Sequence, residues 1–310
     1  MVEKNLKILP KFSDNTSFLY IDKGIIERRD SAVVVYVGDS EIPLPVATIN
    51  TVMLGPGTRV THGAMVVLAE AGASVLWVGE DLQKLYASGM GRSRSSENLL
   101  KQVEAYSSHQ KRLTTIRSLY EMRFSEELEP ALTLQQIRGK EGARVRDSYF
   151  ELAKKFGVDW RGRSYQRASW TSADPPNRAL SSGASCLYGV CHAAIVSMGF
   201  SAGIGFIHTG KQLSFVYDVA DLYKTELLIP AAFEAVATHT SGYETATRKL
   251  LREKMKELKL LDRIVSDLTG LFNSPRSGEQ TFDEIDAPAS LFDDKSGPVS
   301  GGENYARDDP

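Results

Sequence analysis

The chain has 310 residues, of which 42% are hydrophobic and 25% are charged, and this composition excludes collagen-like, mucin-like and wholly disordered proteins. It has only two cysteines, Cys186 and Cys191, and no apolar run near its N-terminus has the form of a secretory signal, so we expect a reducing, cytoplasmic location. Residues 276–310 hold nine acidic and three basic side chains, which leaves residues 1–275 with a net charge of +4 and permits an anionic partner.

Residues 1–88 have the pattern of a small N-terminal β-rich domain with one helix. Short β-branched and aromatic runs alternate with Gly, Asp and Pro turns, which is typical of strands. One helix is predicted over residues 61–71, with Thr61 or Thr58 as its N-cap. The predicted strands are residues 17–21, 32–37, 51–54 and 74–79.

The pattern changes after residue 88. Residues 89–96 are rich in Gly, Ser and Arg and are predicted to form a linker. Residues 97–275 have a hydrophobic period of 3.6, which predicts a larger all-α domain, and residues 276–310 have the composition of a flexible, disordered acidic tail. The predicted fold class is therefore α+β. The predicted helices cover residues 97–125, 131–157, 177–200, 213–238 and 244–270.

The stretch from Ala179 to Gly210 contains no Asp, Glu, Lys or Arg and is long enough to cross a bilayer. It also contains His192 and several serines and glycines, and it lacks flanking aromatic and basic belts. A helix buried on all sides has the same composition. We therefore expect a central buried helix and no membrane partner.

Two short motifs are weak indications of function. The segment 205–212 resembles a phosphate-binding P-loop, but Gln212 stands where the loop needs a Ser or Thr hydroxyl to ligate magnesium. Cys186 and Cys191 lack the spacing of a zinc site and are expected to be buried thiols.

A cluster of polar residues interrupts the apolar segment 203–230. His208 lies in a turn between Gly205 and Gly210, and Asp218 and Asp221 follow at a spacing that places both on one helix face. Two carboxylates on a mostly buried face need a compensating positive charge. A divalent cation would supply that charge, and so would an ion pair with Lys224 or an arginine.

A further carboxylate, Glu141, lies among Arg138, Lys140, Arg144 and Arg146. One interpretation is that Arg138 or Arg144, each three residues away on the helix, neutralises it. The other is that Glu141 binds a metal while the guanidinium groups bind phosphate. A set of carboxylates with one imidazole suits Mg²⁺ or Mn²⁺.

Several motifs in order resemble one family. The motifs R-G-K-E-G-x-R-V-R, S-C-L-Y-G-V and G-F-I-H-T-G-K-x-L-S-F-V-Y-D-V-A-D, with P-G-T-R-V-T-H and L-W-V-G-E before them, resemble the CRISPR-associated integrase and endonuclease family (Cas-one), most closely its type I-E branch. The resemblance runs from about residue 17 to about residue 270. It implies a homodimer, a bridging small second Cas protein, and metal-dependent phosphoryl transfer on double-stranded DNA fragments and CRISPR repeat DNA.

The resemblance also implies roles for individual residues. Glu141, His208 and Asp221 match the family's metal ligands, and Asp218 matches a neighbouring acid of the same catalytic pocket. Arg59 is implied on the DNA-facing side of the β-domain. The residues implied to line the pocket are Arg138, Lys211, Tyr217 and Lys224.

Basic side chains outside these motifs are candidates for sequence-tolerant phosphate contacts. They form two groups, and the second also fits a solvated helix face paired with Glu253 and Glu257. The groups are Arg161, Arg163 and Arg167, and Arg248, Lys249 and Arg252.

The sequence departs from the type I-E pattern at the tyrosine that caps the end of the bound duplex, since the nearest tyrosine here, Tyr20, is shifted in register.

The predicted reaction is the joining of 3′-hydroxyl ends to the repeat array by transesterification. Two alternatives remain: a structure-specific endonuclease of DNA repair with the same active-site residues, and a non-catalytic DNA-binding scaffold in which Glu141, His208 and Asp221 form buried ion pairs.

Overall fold

The N-terminal strands form two four-stranded sheets. The computed structural model describes residues 17–30, 32–46, 49–80, 84–89, 96–163, 173–272, 291–293 and 297–299. The strands are β1 (Ser17–Ile21), β2 (Ile25–Arg29), β3 (Ala32–Val37), β4 (Ser40–Leu44), β5 (Ile49–Leu54), β6 (Arg59–Val60), β7 (Ser74–Val78) and β8 (Leu85–Ser88). In the first sheet the order is β1-β5-β7-β8, with β1, β5 and β7 parallel and β8 antiparallel. In the second sheet the order is β4-β3-β2-β6.

Both sheets share one apolar core with helix α1 (His62–Glu70), because residues such as Ile26, Val52 and Leu68 are fully buried in a single cluster. Thr61 is the N-cap of α1, and its hydroxyl accepts a hydrogen bond from the backbone N–H of Ala64 at 3.3 Å. The β-rich domain with one helix is confirmed, but the sequence pattern did not predict its division into two sheets. The second sheet forms because β2, which carries exposed arginines and was not predicted, pairs with β3.

The helical region is built from eight helices within the described residues, which are more and shorter than predicted. The predicted helix over residues 97–125 is divided because Ser108 has extended backbone and caps the second part. The one over 244–270 is divided at Lys259, which has a left-handed φ of 47°. The one over 213–238 contains a π-helical turn, Lys224–Leu228. The helices are α2 (Glu97–Ser107), α3 (His109–Phe124), α4 (Leu134–Phe156), α5 (Pro175–Ser197), α6 (Ser214–Asp221), α7 (Ile229–Thr238), α8 (Tyr243–Glu257) and α9 (Leu260–Phe272).

Helix α5 is the centre of the helical region. It is long and apolar enough to cross a membrane, but 72% of its most apolar window is buried inside the protein. Its buried residues include both cysteines, Cys186 and Cys191. Burial raises the pKa of the Cys191 thiol. These findings confirm the expectation of a central buried helix, and they show that its face with Ser185, Tyr188 and His192 is only partly buried.

The β-rich and helical regions meet directly. Met53, Leu76 and Val78 of the first sheet form an apolar cluster with Ala193 of α5. A buried hydrogen bond of 3.1 Å runs from Thr51 Oγ1 to Ser197 Oγ beside this cluster. The sheet and α5 therefore belong to one folded unit, Met1–Ser274.

A second unit spans Pro275–Pro310. Its described part is an antiparallel ribbon of β9 (Leu291–Asp293) and β10 (Gly297–Val299), an element that was not predicted. The other residues of the predicted tail lie outside the described residues, as do residues 90–95 of the predicted linker and Arg167.

Candidate active site

The site begins with the loop between α5 and α6, which carries His208. The backbone folds back so closely at Gly205 that an added Cβ would lie 2.4 Å from the carbonyl oxygen of His208 and 2.7 Å from Ser214. Only glycine fits this approach. The buried side chain of Gln102 in α2 holds the start of the loop, because it accepts the N–H of Ser201 at 2.8 Å and donates to the carbonyl of Ile204 at 2.9 Å.

Asp218 holds the middle of this loop from α6. Its carboxylate is almost fully buried and accepts three backbone N–H groups, those of Phe206 at 2.6 Å, Ile207 at 3.1 Å and His208 at 2.8 Å. It also pairs with His208 Nδ1 at 2.7 Å. Since protein donors fill both of its oxygens, Asp218 is placed as a residue that positions His208.

The His208 ring is oriented by this contact. A carboxylate only accepts hydrogen bonds, so Nδ1 carries the proton and Nε2 is the ring's free acceptor in the neutral form. The hydrogen bond with Asp218 raises the pKa of His208, burial opposes this, and the charge of Asp221 adds to the rise. A carboxylate–histidine pair of this kind commonly orients an imidazole that ligates a metal.

Glu141 and Asp221 come from different helices and meet at one arginine. Arg123 of α3 forms an ion pair through its Nη1 atom with Glu141 Oε1, and the same Nη1 lies 3.4 Å from Asp221 Oδ2. Lys224 Nζ lies 2.5 Å from Asp221 Oδ1. Burial opposes the charged form of Lys224, but pairing with Asp221 outweighs it and raises the pKa of Lys224. The cluster contains two carboxylates and two cations.

Two tyrosines connect Lys224 to His208. Lys224 Nζ lies 5.0 Å from the ring centre of Tyr188, which contacts Tyr217 edge to face at 5.1 Å. Tyr217 contacts the His208 ring at 5.8 Å. Tyr188 also lines a cleft of about 720 Å³ between β8 and α5, together with Lys84, Tyr86, His192 and Gln212.

The chemistry of these residues fits a divalent cation, although no three carboxylate, imidazole or thiolate groups within the described residues already surround such a site. Glu141 and Asp221 offer hard oxygen ligands that share one cationic nitrogen, Arg123 Nη1, so their carboxylates already converge on one positive charge. The Nε2 atom of His208 is a suitable third ligand.

Other predicted DNA-binding residues lie in two kinds of environment. Arg59, Arg138 and Lys211 are exposed on β6, α4 and the loop before α6, respectively. Arg163 and Arg248 instead form bonds within the protein. Arg163 donates to the carbonyl of Asn177 at 3.1 Å and to Ser181 Oγ at 3.1 Å, and Arg248 donates to Ser182 Oγ at 2.8 Å.

The remaining predicted residues are exposed. Arg161 pairs with Asp159 at 2.8 Å, and Lys249 and Arg252 lie on the outer face of α8. Tyr20 is 38% exposed at the end of β1, with its ring packed over Gly55.

Sequence reasoning missed Arg123. It lies 18 residues before Glu141 and 98 before Asp221, so no local spacing relates it to either carboxylate. The two arginines proposed as partners of Glu141 have other contacts: Arg144 pairs with Glu126, and Arg138 interacts with Tyr120. The proposed ion pair between Asp221 and Lys224 is present.

The chain matches known proteins along most of its length. Residues 19–127 and 120–257 match the family profile described as CRISPR associated protein Cas1. A CRISPR-associated endonuclease Cas1 2 of Thermus thermophilus is 47% identical over 310 residues, which cover 99% of this chain and 95% of that protein. A CRISPR-associated endonuclease Cas1 of Clostridium sp. (strain SY8519) is 38% identical, over 97% of this chain and 99% of that protein.

A solved structure is also similar: the crystal structure of a TtCas1–DNA complex has a TM-score of 0.79 and 48% sequence identity, and covers 86% of this chain and 100% of that one. The match of the family profile and the identity to its members extend through the loop and helices that carry Glu141, His208 and Asp221. The chain therefore belongs to the Cas1 family of CRISPR-associated endonucleases.

Proposed function

We propose that the protein is a metal-dependent DNA integrase of CRISPR adaptation, which joins the 3′-hydroxyl ends of short foreign DNA fragments to the repeat array by transesterification. The observation that carries this proposal is the convergence of Glu141 and Asp221 on one cationic nitrogen, with His208 oriented by Asp218 and within the electrostatic influence of Asp221. Its relatives are named endonucleases, and one similar structure contains DNA.

The chain's own residues have separate tasks in this reaction. Glu141, Asp221 and His208 would hold Mg²⁺ or Mn²⁺, which lowers the pKa of an attacking hydroxyl and neutralises charge on the phosphoryl oxygens. Asp218 keeps His208 in place through four hydrogen bonds. Lys224, which pairs with Asp221, would add a positive charge beside the scissile phosphate.

DNA binding would depend on exposed cations and stacking side chains. Arg59, Arg138 and Lys211 have exposed side chains for phosphate contacts, which are independent of sequence. The cleft beside Tyr188 combines Lys84 with the rings of Tyr86 and Tyr188, a combination that suits an unpaired strand. A homodimer bridged by a small second Cas protein would join both ends of one fragment.

A joining assay tests this function. The protein and its small partner are mixed with a labelled duplex of about 30 base pairs, or three helical turns, and a plasmid that carries the repeat array. The reaction is run with Mn²⁺, with EDTA, and with the Asp221→Ala variant. Asp147→Ala is the control, because Asp147 is an exposed acid of α4 outside the site.

We expect label in the plasmid only with metal and only with the wild-type and Asp147→Ala proteins. Metal-dependent nicking without joined label would instead favour the endonuclease of DNA repair. The scaffold alternative is motivated by the ion pairs of Glu141 and Asp221 with Arg123 and Lys224. It predicts neither nicking nor joining under any condition.

A further inference from the structure

Arg123 stands in the position that a bridging cation would take. Its Nη1 atom contacts both Glu141 Oε1 and Asp221 Oδ2, and these two oxygens come from helices α4 and α6, which are far apart in sequence. A divalent ion that binds both carboxylates needs oxygen ligands at about 2.0–2.6 Å. The ion and the Nη1 atom therefore cannot both lie between these carboxylates.

The arginine is held there by charge rather than by a full set of hydrogen bonds. Its side chain is 8% exposed, and its buried Nε–H has no hydrogen-bond partner among the residues that the structure describes. A guanidinium has five N–H donors, and leaving one unpaired in a buried position has a free-energy cost. A divalent ion would therefore displace this guanidinium more easily than one whose N–H groups all have hydrogen-bond partners.

The two carboxylates hold Arg123 unequally. Glu141 makes the shorter contact, while Asp221 lies 3.4 Å from Nη1 and has Lys224 at 2.5 Å on its other oxygen. Neutralisation of Asp221 therefore does not depend on Arg123 alone. The side chain can withdraw from Asp221 while the paired charge of Lys224 remains.

We propose that Arg123 is a built-in counter-cation of the metal site, which holds the Glu141 and Asp221 carboxylates together before metal binds and is exchanged for the divalent ion. The proposal rests on the proposed function, because it assumes that these carboxylates bind metal. It assigns Arg123 two effects. The side chain stabilises the metal-free protein, and it weakens the apparent affinity for metal by competing for the same oxygens.

Direct binding of Mn²⁺ to the full chain tests the exchange. Free Mn²⁺ is measured by electron paramagnetic resonance in a titration, and the thermal midpoint of unfolding is measured with and without Mn²⁺. The variants are Arg123→Met, which keeps the length of the side chain without its charge, and Arg123→Lys, which keeps the charge without the planar group. Arg263→Met is the matched control, because Arg263 also contacts two carboxylates, those of Glu226 and Asp267.

We expect Arg123→Met to bind Mn²⁺ about tenfold more tightly than the wild type, which corresponds to about 1.4 kcal/mol. Its thermal midpoint should fall without metal and rise more on Mn²⁺ addition than that of the wild type. Arg123→Lys should stay folded and bind Mn²⁺ with an affinity between those of the wild type and Arg123→Met. It therefore tests the exchange even if the methionine variant does not fold. Arg263→Met should bind as the wild type does.

Unchanged or weaker Mn²⁺ binding by the Arg123 variants would overturn the proposal, because it would make Arg123 a permanent support of the carboxylates. An Asp221→Asn variant distinguishes this result from failure of the proposed function. If wild type and Asp221→Asn bind Mn²⁺ equally, the metal site itself is misplaced, whatever the Arg123 variants do.

Discussion

At the scale of single residues, Asp218 determines where His208 lies. We expect Asp218→Asn to lower the free energy of unfolding by about 2–3 kcal/mol. In the wild type both carboxylate oxygens accept backbone N–H groups, whereas asparagine replaces one of these oxygens by an NH₂ donor and leaves N–H groups without an acceptor. It should also bring the pKa of His208 down toward its ordinary value. Chemical denaturation and a titration followed by nuclear magnetic resonance measure both changes. Asp147→Asn, on the exposed face of α4, should change neither.

The raised pKa of His208 also predicts a pH dependence. A group whose pKa is higher in the folded protein contributes stability that is complete below its unfolded pKa of about 6.5 and is lost as pH rises through the folded value. The loss of stability caused by His208→Gln should therefore be larger at pH 6 than at pH 9. A constant difference across this range of denaturation experiments would mean that the ion pair with Asp218 does not stabilise the fold.

At the scale of elements, the turn at Gly205 connects α5 to α6 and sets the shape of the site. We expect Gly205→Ala to lower the free energy of unfolding by about 1–3 kcal/mol and to abolish metal-dependent joining, because the new methyl group would overlap the carbonyl of His208. Gly203→Ala is the matched control, since its added Cβ would lie 3.6 Å from the nearest atom. Equal stability and activity of the two variants would show that the loop can move aside.

Some of the secondary-structure elements could be predicted from the sequence, and others could not. Strands β1, β3, β5 and β7 were predicted because their β-branched runs are distinctive. β4 was missed because it contains Pro43 and pairs only on one side, and the π-helical turn at Lys224–Leu228 was missed because it does not interrupt the apolar period. Glu141 and Asp221 were recognised from motifs, but their shared partner Arg123 depends on tertiary structure alone.

At the scale of the whole molecule, the sheet and helix α5 should unfold together. Leu76 is fully buried where β7 meets α5, so Leu76→Ala is expected to lower the stability of the helices by about 2–5 kcal/mol. Circular dichroism at 222 nm in a denaturant series reports the helices selectively. Val37→Ala, at an exposed position of β3, should have little effect. A helical transition that Leu76→Ala leaves unchanged would show that the two regions are independent.

The proposed function requires that Glu141 and Asp221 bind a divalent metal, and crystals grown with Mn²⁺ would show whether they do. Diffraction data collected above the manganese absorption edge locate the ion by its anomalous signal. We predict a peak in contact with both carboxylates and with His208, and Arg123 Nη1 withdrawn from Asp221. A peak elsewhere, or no peak while Arg123 still joins the two carboxylates, would show that Glu141 and Asp221 do not form the metal site.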